Sequence, residues 1–425
     1  MPNVTFRQIF SLLLLLWPLL SMGQLKLHSP FFSVHVTDNG QLTKENHRDL
    51  PITTAINKIS QGHYYVTVTI DNISSAEINL SPLILNIGSK MTAFEDPSGG
   101  YSSAIYSYLE PFVINQGEAK TPISGNETSN WFGYYNRYNV EAVRPNDTWT
   151  IINNGLLTQN KVIKAGESIQ YSLDFVQSSR EKKLLAELGL DGTLLQNSWG
   201  WFRWLCLGIW GLLELLFHVT GNWGIAIILL ALAIRLLTIP ITTVSLEYQK
   251  KAKEQRIRLD PKLAKIKRDY TGIELSEKIV ALYEAEQYDH TAPLKGILGL
   301  LIQIPILIAL FTLIGEISEL RYTHFLWIND LSLSDRTLPL GINIPFFGAH
   351  LNVLPFLMAG VTIASTWVAS QYSDTPTFSL FGMAILFFIF FYSFPAALVL
   401  YWFASNLFQL IHQLLHRNRS AKESV

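Results

Sequence analysis

Apolar and polar residues alternate between about residue 25 and residue 175. Two examples are the runs 66–70 and 169–175, in which every second side chain is apolar. A period of two is typical of β-strands with one buried face. A segment of about 150 residues is long enough to bury a core, so the pattern predicts an all-β sandwich domain over 25–190. A short helix over 179–188, ending at Gly189, is expected to close this domain.

Long apolar segments replace this alternation in the second half of the chain. Residues 199–219 are rich in tryptophan but contain Arg203, Glu214 and His218, which favours an amphipathic helix in the membrane interface. A membrane span needs about 20 apolar residues. The stretch 375–416 contains no Asp, Glu, Lys or Arg and would be roughly 60 Å long as one helix, so it must fold back as two spans. Five core transmembrane helices are therefore expected in 220–416, at about 222–244, 296–315, 351–372, 376–392 and 395–415.

The first 23 residues are similar to an export signal. Arg7 precedes a short apolar run over 9–20, and the small residues Ser21 and Gly23 follow it. The run is shorter than the about 20 residues of a span, which favours a cleaved signal peptide. A tilted N-terminal anchor is the alternative.

Basic residues are concentrated in one loop. Eleven Lys and Arg lie in 247–295, whereas the 316–350 loop contains only two. The positive-inside rule therefore predicts that 247–293 is cytoplasmic, that the β domain is periplasmic and that the tail 417–425 is cytoplasmic. Pro261 is expected to break the helix within 247–293, which would then form a charged hairpin of two helices.

Composition agrees with a membrane protein. The 425 residues are 49% hydrophobic and 15% charged, against roughly 25% charged in an average soluble protein. Basic and acidic totals of 32 and 33 nearly cancel, which argues against general nucleic-acid binding. The single cysteine, Cys206, excludes an internal disulfide and a thiolate metal cluster.

Arg235 is the main candidate for function. It lies about twelve residues into its span, where an arginine costs roughly 2.5–3.5 kcal/mol on insertion scales and usually faces a polar interior. No other predicted span contains a carboxylate away from its ends. A structural ion pair is the alternative, but it lacks an evident partner.

Polar residues on several spans extend this candidate site. Each stripe taken alone is typical of helix packing, but together around one arginine they predict a hydrated groove, provided that their faces converge. The candidate groove residues are Arg235, Thr238, Thr242, Gln303, Thr362, Ser365, Thr366, Trp402, Asn406 and Gln409, with Gln413 continuing the last stripe.

No enzyme signature is present in the sequence. His412 and His416 have the spacing of a zinc-binding H-E-x-x-H motif, but Gln413 replaces the glutamate that serves as the general base. Neither a nucleophile elbow nor a phosphate-binding glycine loop occurs. We therefore expect no catalytic residues, cofactor or metal.

Many short motifs occur in a fixed order and spacing over about 199–416. They are Gly221–Gly224, Arg235, Leu259–Lys262, Ala281–Tyr283, Leu301–Pro305, Glu319–Arg321, Leu326–Ser332, Phe394–Pro395, Leu398–Trp402 and Ser405–Leu407. In these motifs the second half of the chain resembles the YidC family of membrane-protein insertases. The β domain is similar to the family's periplasmic domain more loosely.

The resemblance implies a bacterial inner-membrane insertase and chaperone that inserts and helps fold integral membrane proteins. It implies nascent membrane proteins as clients, with the Sec translocon and the ribosome as further partners, and neither nucleic acid nor a small-molecule substrate. By position, Arg235 would attract the hydrophilic part of a client. Two departures, Ala231 and Trp402, make this groove less polar than in many members.

A secondary transporter or channel is the alternative function. Such a protein would also place a charge at mid-membrane, but transporters usually contain repeated halves and broken helices. No repeat is visible in the sequence, and a transporter leaves the charged hairpin 247–293 without a role.

Overall fold

The computed structural model describes residues 25–28, 32–36, 42–46, 51–60, 62–87, 93, 100–115, 117–125, 127–128, 130–152, 155–196, 198–296, 298–370 and 377–423. The expected signal peptide or anchor, 1–23, lies outside these residues. The chain forms two compact units, one of 1–200 with 315–319 and one of 201–314 with 320–425.

The first unit is rich in β structure, as the alternating pattern predicts. Its helices are α1 Tyr101–Tyr106 and α2 Lys182–Leu188. Its strands are β1 Leu25–His28, β2 Phe32–Val36, β3 Leu42–Asn46, β4 Ile52–Ser60, β5 His63–Asp71, β6 Ile78–Leu80, β7 Ile84–Asn86, β8 Leu109–Asn115, β9 Glu118–Lys120, β10 Glu127–Thr128, β11 Phe132–Asn136, β12 Asn139–Pro145, β13 Trp149–Ile152, β14 Gly155–Leu157, β15 Lys161–Ile163 and β16 Ser168–Ser179.

Two antiparallel sheets of seven described strands each make up this unit. Their strand orders are β10-β13-β14-β7-β1-β2-β3 and β4-β5-β16-β12-β11-β8-β9, and β15 pairs separately with β6. One hydrophobic core contains residues from both sheets. In it, Val66 and Val68 of β5 lie opposite Leu173 and Tyr171 of β16, and all four are buried. The period of two in the sequence therefore corresponds to the buried faces of paired strands.

The short helix at the end of the first unit begins later than expected. Residues up to Ser179 belong to β16, and α2 begins at Lys182. It ends as expected at Gly189, whose φ of 69° is the left-handed conformation that glycine adopts without a steric penalty. The later start follows from strand pairing. Ser179, which the local pattern assigns to the helix, pairs with Asn139 of β12 and so belongs to β16.

The second unit is helical. Its helices are α3 Gly200–Thr220, α4 Trp223–Asp269, α5 Gly272–Ala285, α6 Ala292–Gly296, α7 Leu298–Glu316, α8 Leu354–Ser370, α9 Thr377–Phe391 and α10 Ala396–Glu423. The last two residues of α7 belong by their contacts to the first unit. A two-stranded sheet, β17 Leu338–Ile344 and β18 Gly348–Leu351, precedes α8.

A helix occupies the position of each expected span. Among the described residues, three helical stretches are long and apolar enough to cross a membrane: Gly200–Thr220, Trp223–Asp269 and Leu294–Glu316. A shorter apolar helix covers Leu354–Val368. The first of the three, Gly200–Thr220, is the helix expected to lie in the membrane interface. Its length is compatible with lying in the interface and with spanning the membrane. Five spans and the interfacial helix therefore stay predictions.

The expected helix break at Pro261 is wrong. Helix α4 continues through Pro240 and Pro261 to Asp269. A proline inside a helix removes one backbone hydrogen bond and crowds the carbonyl four residues earlier. That earlier residue, Ile257, is exposed, so water can bond its carbonyl and the helix continues.

Surface ion pairs connect the helices of the charged segment 247–293. Helix α5 buries none of its residues. Lys262 and Arg258 both pair with Glu286, and the hydrogen bond from Lys262 lowers the pKa of that carboxyl. Exposed pairs contribute little to stability, so this segment depends on few buried contacts.

Candidate functional site

Arg235 is positioned by the start of α4. The Asn222 side chain caps this helix by accepting a hydrogen bond from the Ile225 backbone at 3.1 Å. The Trp223 ring stacks on Phe217, with ring centroids 4.2 Å apart. Arg235 follows twelve residues later, about 18 Å along the helix at 1.5 Å per residue. That distance is close to half the about 30 Å hydrocarbon thickness, and a mid-membrane depth for Arg235 stays a prediction.

The surroundings of Arg235 contain no counter-ion in the part of the chain that the structure describes. The side chain is half-buried, and its Nε atom is buried without a hydrogen-bond partner. Among the described ionisable groups, the hydroxyl of Tyr401 on α10 is the one that acts on it. An uncompensated guanidinium of this kind is stabilised only by water or by an incoming anionic group.

Tyr401 lies between Arg235 and a second polar side chain. Its hydroxyl is buried close to Arg235, Gln303 of α7 and Ser405 of α10, and it forms no hydrogen bond with a described residue. Helix α7 approaches α4 nearby, where a Cβ on Gly299 would lie 3.4 Å from the Thr242 methyl group. Two of the predicted site residues, Arg235 and Gln303, are therefore brought together around one tyrosine.

A second polar cluster joins α8 to α10. The Asn406 amide donates to the Thr362 hydroxyl at 2.8 Å, and the Ser365 hydroxyl donates to Gln413 at 3.2 Å. These four residues come from the predicted stripes, and through these contacts the stripes of α8 and α10 face each other. Thr366 and Gln409 are half-buried on the same two helices.

The hydroxyl groups of Thr238 and Thr242 form hydrogen bonds within their own helix, α4. The Thr238 hydroxyl donates to the Ile234 carbonyl at 3.0 Å, and the Thr242 hydroxyl donates to the Thr238 carbonyl at 3.0 Å. Such back-bonding satisfies a hydroxyl inside a membrane helix. Thr238 is also buried, so its hydroxyl is less accessible than that of half-buried Thr242.

Trp402 contacts α9 rather than Arg235. Its ring lies 5.4 Å from Phe391 and 5.5 Å from Phe387, and only 8% of the residue is exposed. The aromatic residue beside Arg235 is its neighbour Tyr401. Successive residues are about 100° apart around a helix, so the two rings face different helices.

Sequence reasoning missed Tyr401 and Ser405 as site residues. The signal was a second stripe on α10, with Tyr401, Ser405 and His412 at i, i+4 and i+11. The stripe that contains Asn406 is longer and more polar, and it draws attention first. Packing decides which of the two faces Arg235.

The cluster offers a fixed positive charge beside hydroxyl and amide groups. Such a set attracts and solvates a carboxylate. Within the described residues, no group of three or more His, Cys, Asp or Glu side chains is placed to hold a metal ion.

Known proteins match this chain over the helical unit and beyond. The family model described as 60Kd inner membrane protein matches residues 215–423. A membrane protein insertase YidC from Syntrophobacter fumaroxidans is 30% identical over 303 residues, which are 67% of this chain and 52% of that protein. The one from Cellvibrio japonicus is 33% identical over 269 residues, covering 61% and 44%. The one from Vibrio cholerae is 29% identical over 385 residues, covering 84% and 66%.

The chain belongs to the YidC family. The resemblance in the sequence is thereby confirmed, and Arg235, Tyr401 and Gln303 all lie within the matched range. The chain spans about half the length of the first two YidC relatives. A crystal structure of an active YidC insertase with the first transmembrane domain resolved covers 96% of both chains at 17% identity, with a TM-score of 0.39. Because this TM-score is low, the geometry of that crystal structure is not applied to the site in this chain.

Proposed function

We propose that the protein is an insertase and chaperone for integral inner-membrane proteins. Its relatives carry the name membrane protein insertase. The observation that carries the proposal is Arg235, a half-buried arginine about 18 Å along an apolar helix with no carboxylate partner among the described residues. A purely structural arginine at this depth should have a counter-ion.

Arg235 acts as a fixed charge for the acidic part of a client. Two unit charges 4 Å apart attract by about 1 kcal/mol in water and by about 4 kcal/mol at an effective dielectric of 20. The attraction is therefore about 3 kcal/mol stronger beside the arginine than for the same pair in bulk water, and it offsets the desolvation of the client carboxylate. The polar residues around Tyr401 and Asn406 provide a hydrated path, and the client's apolar segment then leaves sideways into lipid. No nucleotide or covalent step is required.

The proposed arrangement in the membrane follows from the charge distribution. In this proposal, five predicted spans put the β-rich unit in the periplasm and the C-terminus in the cytoplasm of a bacterial inner membrane. The segment 247–293, rich in both charges, then lies on the cytoplasmic side, where it receives nascent clients from the ribosome. The Sec translocon is a further proposed partner.

The test is insertion by the full chain in proteoliposomes without a solute gradient. The client is a small membrane protein with an acidic translocated tail, and protease protection of the tail measures insertion. Arg235→Leu should lower insertion by up to about 100-fold, because 1.4 kcal/mol corresponds to tenfold. Arg235→Lys should retain much of it. A client with its tail carboxylates neutralised should depend less on Arg235.

Lys120→Leu is the control, since Lys120 is an exposed basic residue outside both the groove and the segment 247–293. It should insert both clients like the wild type. Equal insertion of acidic-tailed clients by Arg235→Leu and wild type would make the attraction mechanism wrong. Solute uptake that depends on Arg235, with no insertion, would favour the transporter.

A further inference from the structure

The hairpin of β17 and β18 exposes an unusual amount of apolar surface. All seven residues of β17 are exposed. The segment 337–349 contains no Asp, Glu, Lys or Arg. Five large apolar side chains project from it, with exposed fractions between 38% and 66%: Leu338, Leu340, Ile342, Ile344 and Phe346. Exposed apolar patches of this kind mark contact with protein or membrane.

An irregular pairing displaces the middle of β17 from its partner strand. Pro339 pairs with His350 and Ile344 with Gly348, so residues 340–343 lie opposite a single residue of β18. Gly341 has a φ of 71°, a conformation that glycine adopts without strain. A bulge of this size bends the strand and directs Leu340 and Ile342 away from the hairpin.

The base of the hairpin is fixed to the ends of two apolar helices. The Asn352 amide donates to the Tyr392 carbonyl at 2.7 Å, just beyond the end of α9. The Tyr392 hydroxyl donates to the His350 carbonyl at 3.2 Å, and the rings of Tyr392 and Phe347 are 5.0 Å apart. Asp335 accepts hydrogen bonds from the backbone of Val353 and Leu354 at the start of α8. The hairpin is therefore held at the level where α8 begins and α9 ends.

The apolar surface continues from the hairpin onto α8. Phe356 and Leu357 in its first turn are 51% and 42% exposed. Helix α8 is apolar and short, so this exposed side meets lipid in a membrane. One continuous apolar surface thus runs from a helix that needs lipid onto the hairpin.

We propose that this hairpin lies in the outer leaflet of the membrane, with Leu340, Ile342 and Phe346 inserted among the lipids. The outer edge of β17 pairs with no described strand, and unpaired backbone groups do not occur in the hydrocarbon region. The backbone therefore sits at the headgroup level, and only side chains reach the acyl chains. The aromatic pair Phe346 and Phe347 at the turn is suited to that depth.

The role of the hairpin is to fix the level of α8 and α9 in the outer leaflet. This role goes beyond insertion of clients, and its test requires no client. The inference rests on the proposed arrangement, in which residues 320–353 lie on the outer side of the membrane.

Quenching of a fluorescent probe measures the depth of the hairpin. The full chain carries Ile342→Cys, labelled with an environment-sensitive thiol probe and reconstituted in vesicles of phosphatidylethanolamine and phosphatidylglycerol. The native Cys206 is buried, so the unsubstituted chain serves as the labelling control. Arg256→Cys, at an exposed position of the charged segment, is the aqueous reference. Ile342 is exposed, so its replacement leaves the fold intact.

We expect the probe at Ile342 to be quenched at least twofold more by a lipid with a shallow nitroxide than by aqueous iodide, with the reverse at Arg256. Quenching at Ile342 by iodide alone would overturn the proposal. Protection from iodide that appears only when a membrane-protein client is added would also overturn it and assign the hairpin to clients. Protection that depends on the protein-to-lipid ratio would assign it to a second copy of the chain.

Discussion

Replacing Arg180 by methionine should sharply destabilise the first unit. The Arg180 side chain is fully buried and pairs with Glu316 at 2.7 Å. It also donates to the carbonyls of Asn136 and Thr193, each at 3.1 Å, and lies over the Tyr135 ring. Arg180→Met leaves the carboxylate and both carbonyls without this partner.

The magnitude follows from the geometry. Removing one member of a buried ion pair costs about 3–5 kcal/mol, because the other charge stays buried. One kcal/mol shifts the melting temperature of a unit of this size by about 2–4 °C, so the shift should be about 6–20 °C. Methionine has a similar length, and therefore little of the loss comes from a cavity.

The assay is thermal unfolding of the full chain in detergent, followed by amide exchange in β12 and β16. The Arg180 backbone donates to the Tyr138 carbonyl beside these strands, so exchange there should rise first. The double variant Arg180→Met with Glu316→Leu should recover about 2 kcal/mol or more relative to the sum of the single losses. A melting temperature within about 2 °C of the wild type for Arg180→Met would refute the reasoning, because it would show that water already solvates the pair.

Three further predictions concern the helical unit. Asn406→Leu should lower stability by about 1–3 kcal/mol in thermal unfolding, because it leaves the hydroxyl of its partner on α8 without its donor. Tyr401→Phe should reduce insertion of acidic-tailed clients in the liposome assay, whereas Trp402→Phe should lower the melting temperature and leave insertion unchanged. Hydrogen bonds, chiefly from Lys251, lower the pKa of the Asp289 carboxyl from its ordinary 3.8. Amide protection around this residue should therefore be retained above pH 3.8 and lost as the pH falls below it, and Asp289→Asn should remove that pH dependence.

The local sequence pattern was sufficient to predict most of the strands and helices. The alternation around Val66 and Leu173 predicts strands because side chains in a strand point to opposite faces whatever the partner strand is. The lengths of the apolar segments predict the helix positions, since a helix rises by a constant amount per residue. Pro261 is one exception, because the carbonyl that it leaves without a partner belongs to the exposed Ile257, and no local pattern reports that exposure.

The sequence alone was also sufficient to single out Arg235 as a candidate site residue. Arg235 stands out in the sequence because its span and the others lack a carboxylate at its depth. The structure agrees, since no described carboxylate pairs with it.

Contacts between distant segments were decided only by the tertiary structure. Arg180 and Glu316 are 136 residues apart, and neither residue's local pattern indicates the other. The choice between Tyr401 and Trp402 depends on how α10 is rotated against α4 and α9, an angle set by the packing of all three helices. A sequence therefore determines which side chains a helix carries, whereas packing determines which of them meet, because rotation about the helix axis is free until neighbouring helices fix it.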